Sequence, residues 1–298
     1  MAGWAWFLEA FIGFESYRPA PPNTKCMLCD LHLHTTKSDG VWAPERLLEE
    51  VQARGLECFS ITDHDCMDAY PVPADLRERC IPGLEVDSHH VGHTVHILAY
   101  GIADPGCELM CRLRTQRENR VERMHAMILR LQRLRIEITM ADVQAQVTGA
   151  SSLGRPHLAR ALVAKGLVQT VQEAFDRYIA DEGDGFVALE RLTSGEIIAM
   201  IHRCGGVAVI AHPLRLRDPA HVHELYELGA DGVEATHPTA DFAAQAMLRK
   251  FALSRGLLLT GGTDFHYPVA ERGLGVELER ADIEALRCAI ERRARVGS

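Results

Sequence analysis

The chain has 298 residues, of which 47% are hydrophobic and 24% charged, a mix that suits a soluble globular fold and excludes a disordered or collagen-like chain. Its formal charge of −9 argues against a protein that coats nucleic acid through a broad basic face, while leaving room for a small anionic substrate in a locally positive pocket. The nine cysteines follow no disulfide framework and read as reduced thiols of a cytoplasmic protein; Cys26-x-x-Cys29 has no second pair at zinc-ribbon spacing and reads as two core thiols.

In chain order, residues 1–26 are apolar and aromatic but contain Glu9, Glu15, Pro19, Pro21 and Pro22 and lack a basic start. That fits neither a signal peptide nor a membrane span, so an N-terminal extension is expected. From Met27 onward short apolar runs alternate with amphipathic stretches. Strands are predicted over residues 27–34, 56–62, 94–100, 207–211, 232–236 and 257–261. Helices lie between them, for example over 44–54, where Pro44 suits a first turn and Gly55 a C-terminal cap. Repeated strand–helix units predict an α/β barrel. Over residues 104–195 the strand signals give way to helical periodicity: Val121, Met124, Ile128 and Leu131 define an apolar stripe, and Arg112, Arg114, Arg117, Arg120 and Arg123 a solvated face. The expected organisation is an extension (1–26), a barrel (27–103 and 196–298) and an inserted helical subdomain (104–195).

Chemistry-bearing residues recur where the apolar runs end. His32 and His34, two apart on a strand, project from one face, with Asp39 close behind. Asp63, His64 and Asp65 follow the second strand. Glu85 sits in Gly83-Leu84-Glu85, and His96 lies inside the strand Val95-His96-Ile97-Leu98. His212 closes the run Val207–Ala211, Glu234 and His237 come next, and Asp264 and His266 follow the last strand. A buried histidine or glutamate needs a partner, and a shared metal ion is a good one. The other histidines, His89, His90, His93, His125, His202, His221 and His223, read as surface or hairpin residues, with the His89-His90-x-x-His93 tract assigned to a plain loop by the adjoining Gly92.

The order and spelling of these motifs, Asp30-Leu31-His32-Leu33-His34, Thr62-Asp63-His64, Gly83-Leu84-Glu85, His96, Ala211-His212-Pro213 and Asp264-Phe265-His266, resemble the polymerase and histidinol phosphatase (PHP) family. Gly154-Arg155-Pro156-His157-Leu158-Ala159-Arg160 adds a likeness to the bacterial phosphoesterases of that family that act on nucleoside 3′,5′-bisphosphates or trim short RNA from the 5′ end. The resemblance implies a distorted (β/α)7 barrel holding two to three divalent ions, manganese first, with zinc or iron as alternatives. His32, His34, Glu85 and Asp264 would hold one ion; Glu85 would bridge to a second held by His96 and His212; Asp39, His64 and His266 would hold the third. Asp63 is expected to orient His64 or a neighbouring ligand, and Asp65 either to do the same or to cap a helix. Arg155 and His157 are expected to grip phosphate with help from Arg215, and His237 to bind phosphate or protonate the leaving oxygen.

The activity so implied is hydrolysis of a phosphomonoester of a small nucleotide, the 3′-phosphate of a nucleoside 3′,5′-bisphosphate, by a hydroxide generated at the ions. Alternatives are a phosphodiesterase acting on a cyclic sugar phosphate or short 5′-phosphorylated RNA, and a non-catalytic scaffold; the last is disfavoured because each matched position carries a competent ligand. No membrane or extended DNA partner is expected. The acidic run Asp181-Glu182-Gly183-Asp184 stands where those relatives tend to be basic, and would weaken the hold on a second phosphate if it faced the pocket.

Overall fold

The computed structural model describes residues 26–147, 153–180, 183–189, 191–216, 218–238, 240–269 and 273–296. The predicted extension, Cys26 apart, lies outside these residues, as do Asp181 and Glu182. The fold divides into two compact units: the described residues up to Met110 with those from Leu192 onward, and Cys111–Arg191.

The strands, all in the first unit, are β1 (Cys26–Leu33), β2 (Cys58–Ile61), β3 (Gly83–His90), β4 (His93–Tyr100), β5 (Val207–Ile210), β6 (Gly232–Thr236), β7 (Leu258–Gly261) and β8 (Val276–Glu279). The helices are α1 (Pro44–Arg54), α2 (Glu108–Arg133), α3 (Met140–Gln144), α4 (Arg155–Ala164), α5 (Val171–Ala174), α6 (Ser194–Arg203), α7 (Ala220–Glu227), α8 (Phe242–Arg255) and α9 (Arg280–Val296). All six predicted strands are present to within two residues at each end; β3 and β8 were not foreseen.

The strands form two sheets, ordered β2-β1-β8 and β3-β4-β5-β6-β7. β5, β6 and β7 run parallel, but β3, β4 and β5 pair antiparallel, and so do β1 and β8. The result is a mixed α/β fold in which strand directions depart from uniform strand–helix alternation. The cause is local: Val91 and Gly92 both have positive φ, 44° and 83°, which turns the chain straight back from β3 into β4 with no helix between them.

Alternation along β1 sets up the site. Met27, Cys29 and Leu31 enter a core with Tyr100, Val209, Leu278 and Leu286, so Asp30, His32 and His34 face the other way. A second core gathers Leu33, Phe59 and Ile61 against Leu47 and Val51 of α1. That helix starts on Pro44 and stops at Gly55, whose φ of 68° allows its N–H to reach the carbonyls of Gln52 and Val51.

In the other unit Met124, Met127, Ile128 and Leu131 of α2 join a core with Leu158 and Leu162 of α4. Val121, predicted on the same stripe, is 43% exposed, because the apolar cluster begins one turn later at Met124. Among the described residues no helix is long and apolar enough to cross a membrane.

Candidate metal centre

Strand ends of the first unit bring most of the predicted site residues together. Nε2 of His32 lies 3.2 Å from Glu85 Oε2 and 3.4 Å from Asp264 Oδ1. Nε2 of His34 lies 3.2 and 3.3 Å from the same two oxygens. Gly262 permits this approach: a Cβ on it would sit 2.5 Å from that of His32.

These four residues form one group of converging ligand atoms; His34, Asp39, His64 and His266 form a second, and His64, Glu85 and His96 a third. His96 Nδ1 and His212 Nε2 both meet Glu85 Oε1, at 2.8 and 2.9 Å. Asp39 Oδ2 is 3.2 Å from His266 Nε2 and 3.7 Å from His64 Nε2. Glu85 is therefore shared by five imidazoles, and His64 and His34 each touch two groups.

His32 Nε2, His34 Nε2 and Glu85 Oε2 are buried and have no hydrogen-bond partner, a costly arrangement for polar atoms left to themselves. A tetrahedral ion with bonds of about 2.1 Å sets its ligand atoms about 3.4 Å apart, which matches the 3.2–3.4 Å separations here. Imidazole nitrogen and carboxylate oxygen without thiolate suit divalent ions.

Opposite charges act on one another within the cluster. Burial alone would push Glu85 up, but the charges of His32, His64 and His96 hold it well below the ordinary carboxylate range. Asp264 is likewise held low, burial being overcome by the charge of His32 and by the nearby rings of His237 and His34. For Asp39 burial is outweighed by His266, His64 and His34, and it comes down to about 2. For His64 burial opposes protonation, but Glu85, Asp87 and Asp39 prevail and raise it to about 10.

Three supports were missed as such in the sequence. Glu234 is fully buried; its Oε1 lies 3.0 Å from His32 Nδ1, and its Oε2 accepts the His212 backbone N–H at 2.7 Å. Asp87 lies 3.4 Å from both His64 Nδ1 and His96 Nε2; its place two residues after Glu85, on the same strand face, was the available signal. Asp30 accepts from the backbone and hydroxyl of Thr263 and from the backbone N–H of Gly275 and His32.

The oxygens of Asp63 accept from Thr35 N–H, Thr35 Oγ1 and Ser38 Oγ, each at 2.7 Å. It thus fastens the loop that leads to Asp39, whose Oδ1 also accepts from Ser38 Oγ at 3.2 Å. Asp65 caps no helix: it adopts φ 53° and accepts the Asp87 N–H at 3.2 Å, tying the His64 segment to β3. Together with Asp65, His212 and Asp264 have positive φ, 27° and 52°, strain of the kind that functional sites store.

Arg215 sits 2.8 Å from Asp264 Oδ2 and is half exposed. His237 Nε2 is 3.7 Å from the same oxygen. Both line a cleft of about 730 Å³ with Asp264, His266 and Tyr267. Arg155 and His157 belong to the second unit and are engaged inside it. Arg155 donates to the Ile179 carbonyl at 3.2 Å and lies over the Phe175 and Phe186 rings, and His157 Nδ1 accepts the Gly154 N–H at 3.2 Å. Asp184, from the acidic run, is exposed.

A buried set of imidazoles and carboxylates at the strand ends of a mixed α/β fold, opening on a cleft with an arginine, is the centre of a metal-dependent hydrolase. The chain belongs to the PHP family of metal-dependent phosphoesterases. It is 31% identical over 264 residues to the 5′-3′ exoribonuclease Rnm of Escherichia coli (strain K12), covering 85% of this chain and 89% of that protein. It is also 31% identical over 254 residues to the 3′,5′-nucleoside bisphosphate phosphatase of Chromobacterium violaceum, covering 80% and 87%. A crystal structure from Bifidobacterium adolescentis, described as a metal-dependent phosphoesterase, superposes with a TM-score of 0.67 at 30% identity, covering 91% of this chain and 98% of that one. No family model matches the chain.

Proposed function

We propose that the chain removes the 3′-phosphate from a nucleoside 3′,5′-bisphosphate, using two to three divalent ions, manganese first and zinc or iron as alternatives, in the cytoplasm. The observation that carries the reading is the convergence of His32, His34, Glu85 and Asp264 at ligand-to-ligand distances, in a chain whose Chromobacterium relative is named for that substrate. The two sheets, bridged at Leu33–Phe265 and His64–Glu85, are taken as a distorted (β/α)7 barrel.

His32, His34, Glu85 and Asp264 would hold the first ion, Glu85 with His96 and His212 the second, and Asp39, His64 and His266 the third. When bound, such ions neutralise phosphoryl oxygens and lower the pKa of water so that it can attack phosphorus. The residues around them do the rest. Glu234 and Asp87 fix the rings of His32, His64 and His96, as partners of liganding histidines do. Arg215, half exposed beside Asp264, turns its planar guanidinium to two phosphoryl oxygens. His237, nearly buried on the same cleft, holds the phosphate or passes a proton to the leaving oxygen. For Arg155 and His157 the phosphate-holding role rests on the Gly154–Arg160 motif alone.

Trimming of short 5′-phosphorylated RNA is the second reading, favoured by the equal identity to the Escherichia coli exoribonuclease. Hydrolysis of a nucleoside 3′,5′-bisphosphate, its 3′-monophosphate, a cyclic sugar phosphate and a 5′-phosphorylated oligonucleotide by manganese-loaded protein separates these readings. The bisphosphate is expected to give the highest kcat/KM and chelation to abolish turnover. Cleavage of RNA or the cyclic ester with none of the bisphosphate overturns the substrate, and full turnover without metal overturns the mechanism.

A further inference from the structure

A second group of potential ligand atoms lies away from the centre described above: His90 at the end of β3, and His221 and Glu224 on α7. The antiparallel register pairs Asp87 with His96 and His90 with His93. Because successive strand residues face opposite sides, Glu85, Asp87 and His96 look toward the metal centre while His90 and His93 look the other way. The five-residue step from Glu85 to His90 adds about 17 Å along the strand, so this group does not belong to the first.

On that second face two imidazoles meet one carboxylate oxygen. His90 Nε2 lies 2.6 Å and His221 Nδ1 2.9 Å from Glu224 Oε2. Their rings stand edge to face with centroids 5.3 Å apart, and the ring of His93 is 5.6 Å from that of His221. His90 and His221 are largely buried, while Glu224 is about half exposed and leaves a side open to solvent. The same motif occurs in the first centre, where His96 and His212 meet Glu85 Oε1 at 2.8 and 2.9 Å. At the tip between His90 and His93, Val91 takes a φ of 44° and is 65% exposed, an uncommon conformation for a β-branched residue.

We infer that His90, His221 and Glu224 form a further divalent-metal site of the zinc class, clamping the β3–β4 hairpin to α7. Two histidines and a carboxylate with one open position are a zinc-type ligand set. The site differs from the first in purpose: its ion would brace, from its far end, the hairpin that carries Glu85 and His96, and it has no contact with the reacting phosphate.

The test is zinc content after equilibrium dialysis of the full chain, for wild type, Glu224→Gln and His90→Ala, joined to amide hydrogen exchange at the β3–β4 tip. Both variants are expected to bind one zinc fewer than wild type while keeping hydrolytic turnover, which shows that they fold. In wild type, zinc is expected to slow exchange at the tip at least tenfold, an effect absent from Glu224→Gln. Equal zinc content in all three proteins, or tip exchange in wild type that zinc leaves unchanged, overturns the inference. Tip exchange in wild type that zinc leaves unchanged overturns the inference even if a variant proves unstable.

Discussion

Glu234→Gln separates a carboxylate that orders the metal centre from one that merely fills space. Nε2 of His32 is turned to Glu85 and Asp264, so in the metal-loaded state Nδ1 carries the proton and donates to Glu234 Oε1 at 3.0 Å. The other oxygen accepts from the His212 backbone N–H at 2.7 Å. A glutamine offers one acceptor and one NH2 group where two donors arrive, so either His32 or His212 loses its partner in a fully buried place. An unpaired buried donor costs about 1–3 kcal/mol. Loss of the partner of a liganding histidine typically lowers metal affinity about 10–100-fold, or about 1.4–2.8 kcal/mol, so the two routes agree. Competition against a fluorescent chelator should therefore show manganese bound about 10–100-fold more weakly by Glu234→Gln, with an unchanged circular dichroism spectrum. Affinity within twofold of wild type would refute the argument that Glu234 positions His32 and His212.

Glu85→Gln should lower both metal affinity and turnover more than Asp39→Asn. A full charge about 4 Å from an ion is worth about 4 kcal/mol at an effective dielectric near 20, whereas Asp39 is 38% exposed and solvent screens it; the reverse order in a chelator competition and rate assay would exclude Glu85 as the shared ligand. In the metal-free protein His64 is raised to about 10, burial opposing and Glu85, Asp87 and Asp39 prevailing. Its contribution to stability is fully present below its unfolded value of about 6.5 and is lost as pH rises toward 10. The melting temperature of metal-free protein should therefore fall across pH 6.5–10, and metal loading at pH 7 should release protons; a flat profile and proton-silent loading would contradict the charge assignment.

The parts of the fold legible in the sequence were those in which burial and chemistry left separate marks. β1 shows both: Cys29 and Leu31 give the apolar face, and Asp30, His32 and His34 the site face, at a strict spacing of two. β3 hid its nature because its site face, Glu85, Asp87 and His89, breaks the apolar run by which a strand is recognised, and the cost of burying these groups is met only by partners elsewhere in the chain. Glu234 was noticed as an acid at a strand end, but its pairing with His32, 202 residues away, is a property of sheet order and not of local sequence. For the same reason the sequence left Asp63 between His64 and a neighbouring ligand, and did not show that its partners are Thr35 and Ser38. The antiparallel pairings of β3, β4 and β5 were not legible, because apolar runs report the existence of strands and not their direction.

The seam between β4 and β5 has a consequence for how such a chain can diversify. Tyr100 ends one strand, Val207 begins the next, and the two are register partners; nearby, Glu108 and Arg203 close a two-pronged ion pair at 2.7 and 2.9 Å. The intervening stretch of about a hundred residues thus departs from and returns to one point of the sheet, and lengthening or replacing a segment with fixed ends costs little in closure entropy. Among the described residues, the ligand groups of the metal centre all come from outside Cys111–Arg191. Exchange of that whole passage would therefore leave the metal ligands in place while replacing Arg155 and His157, so that the hold on substrate can change without the metal chemistry changing with it.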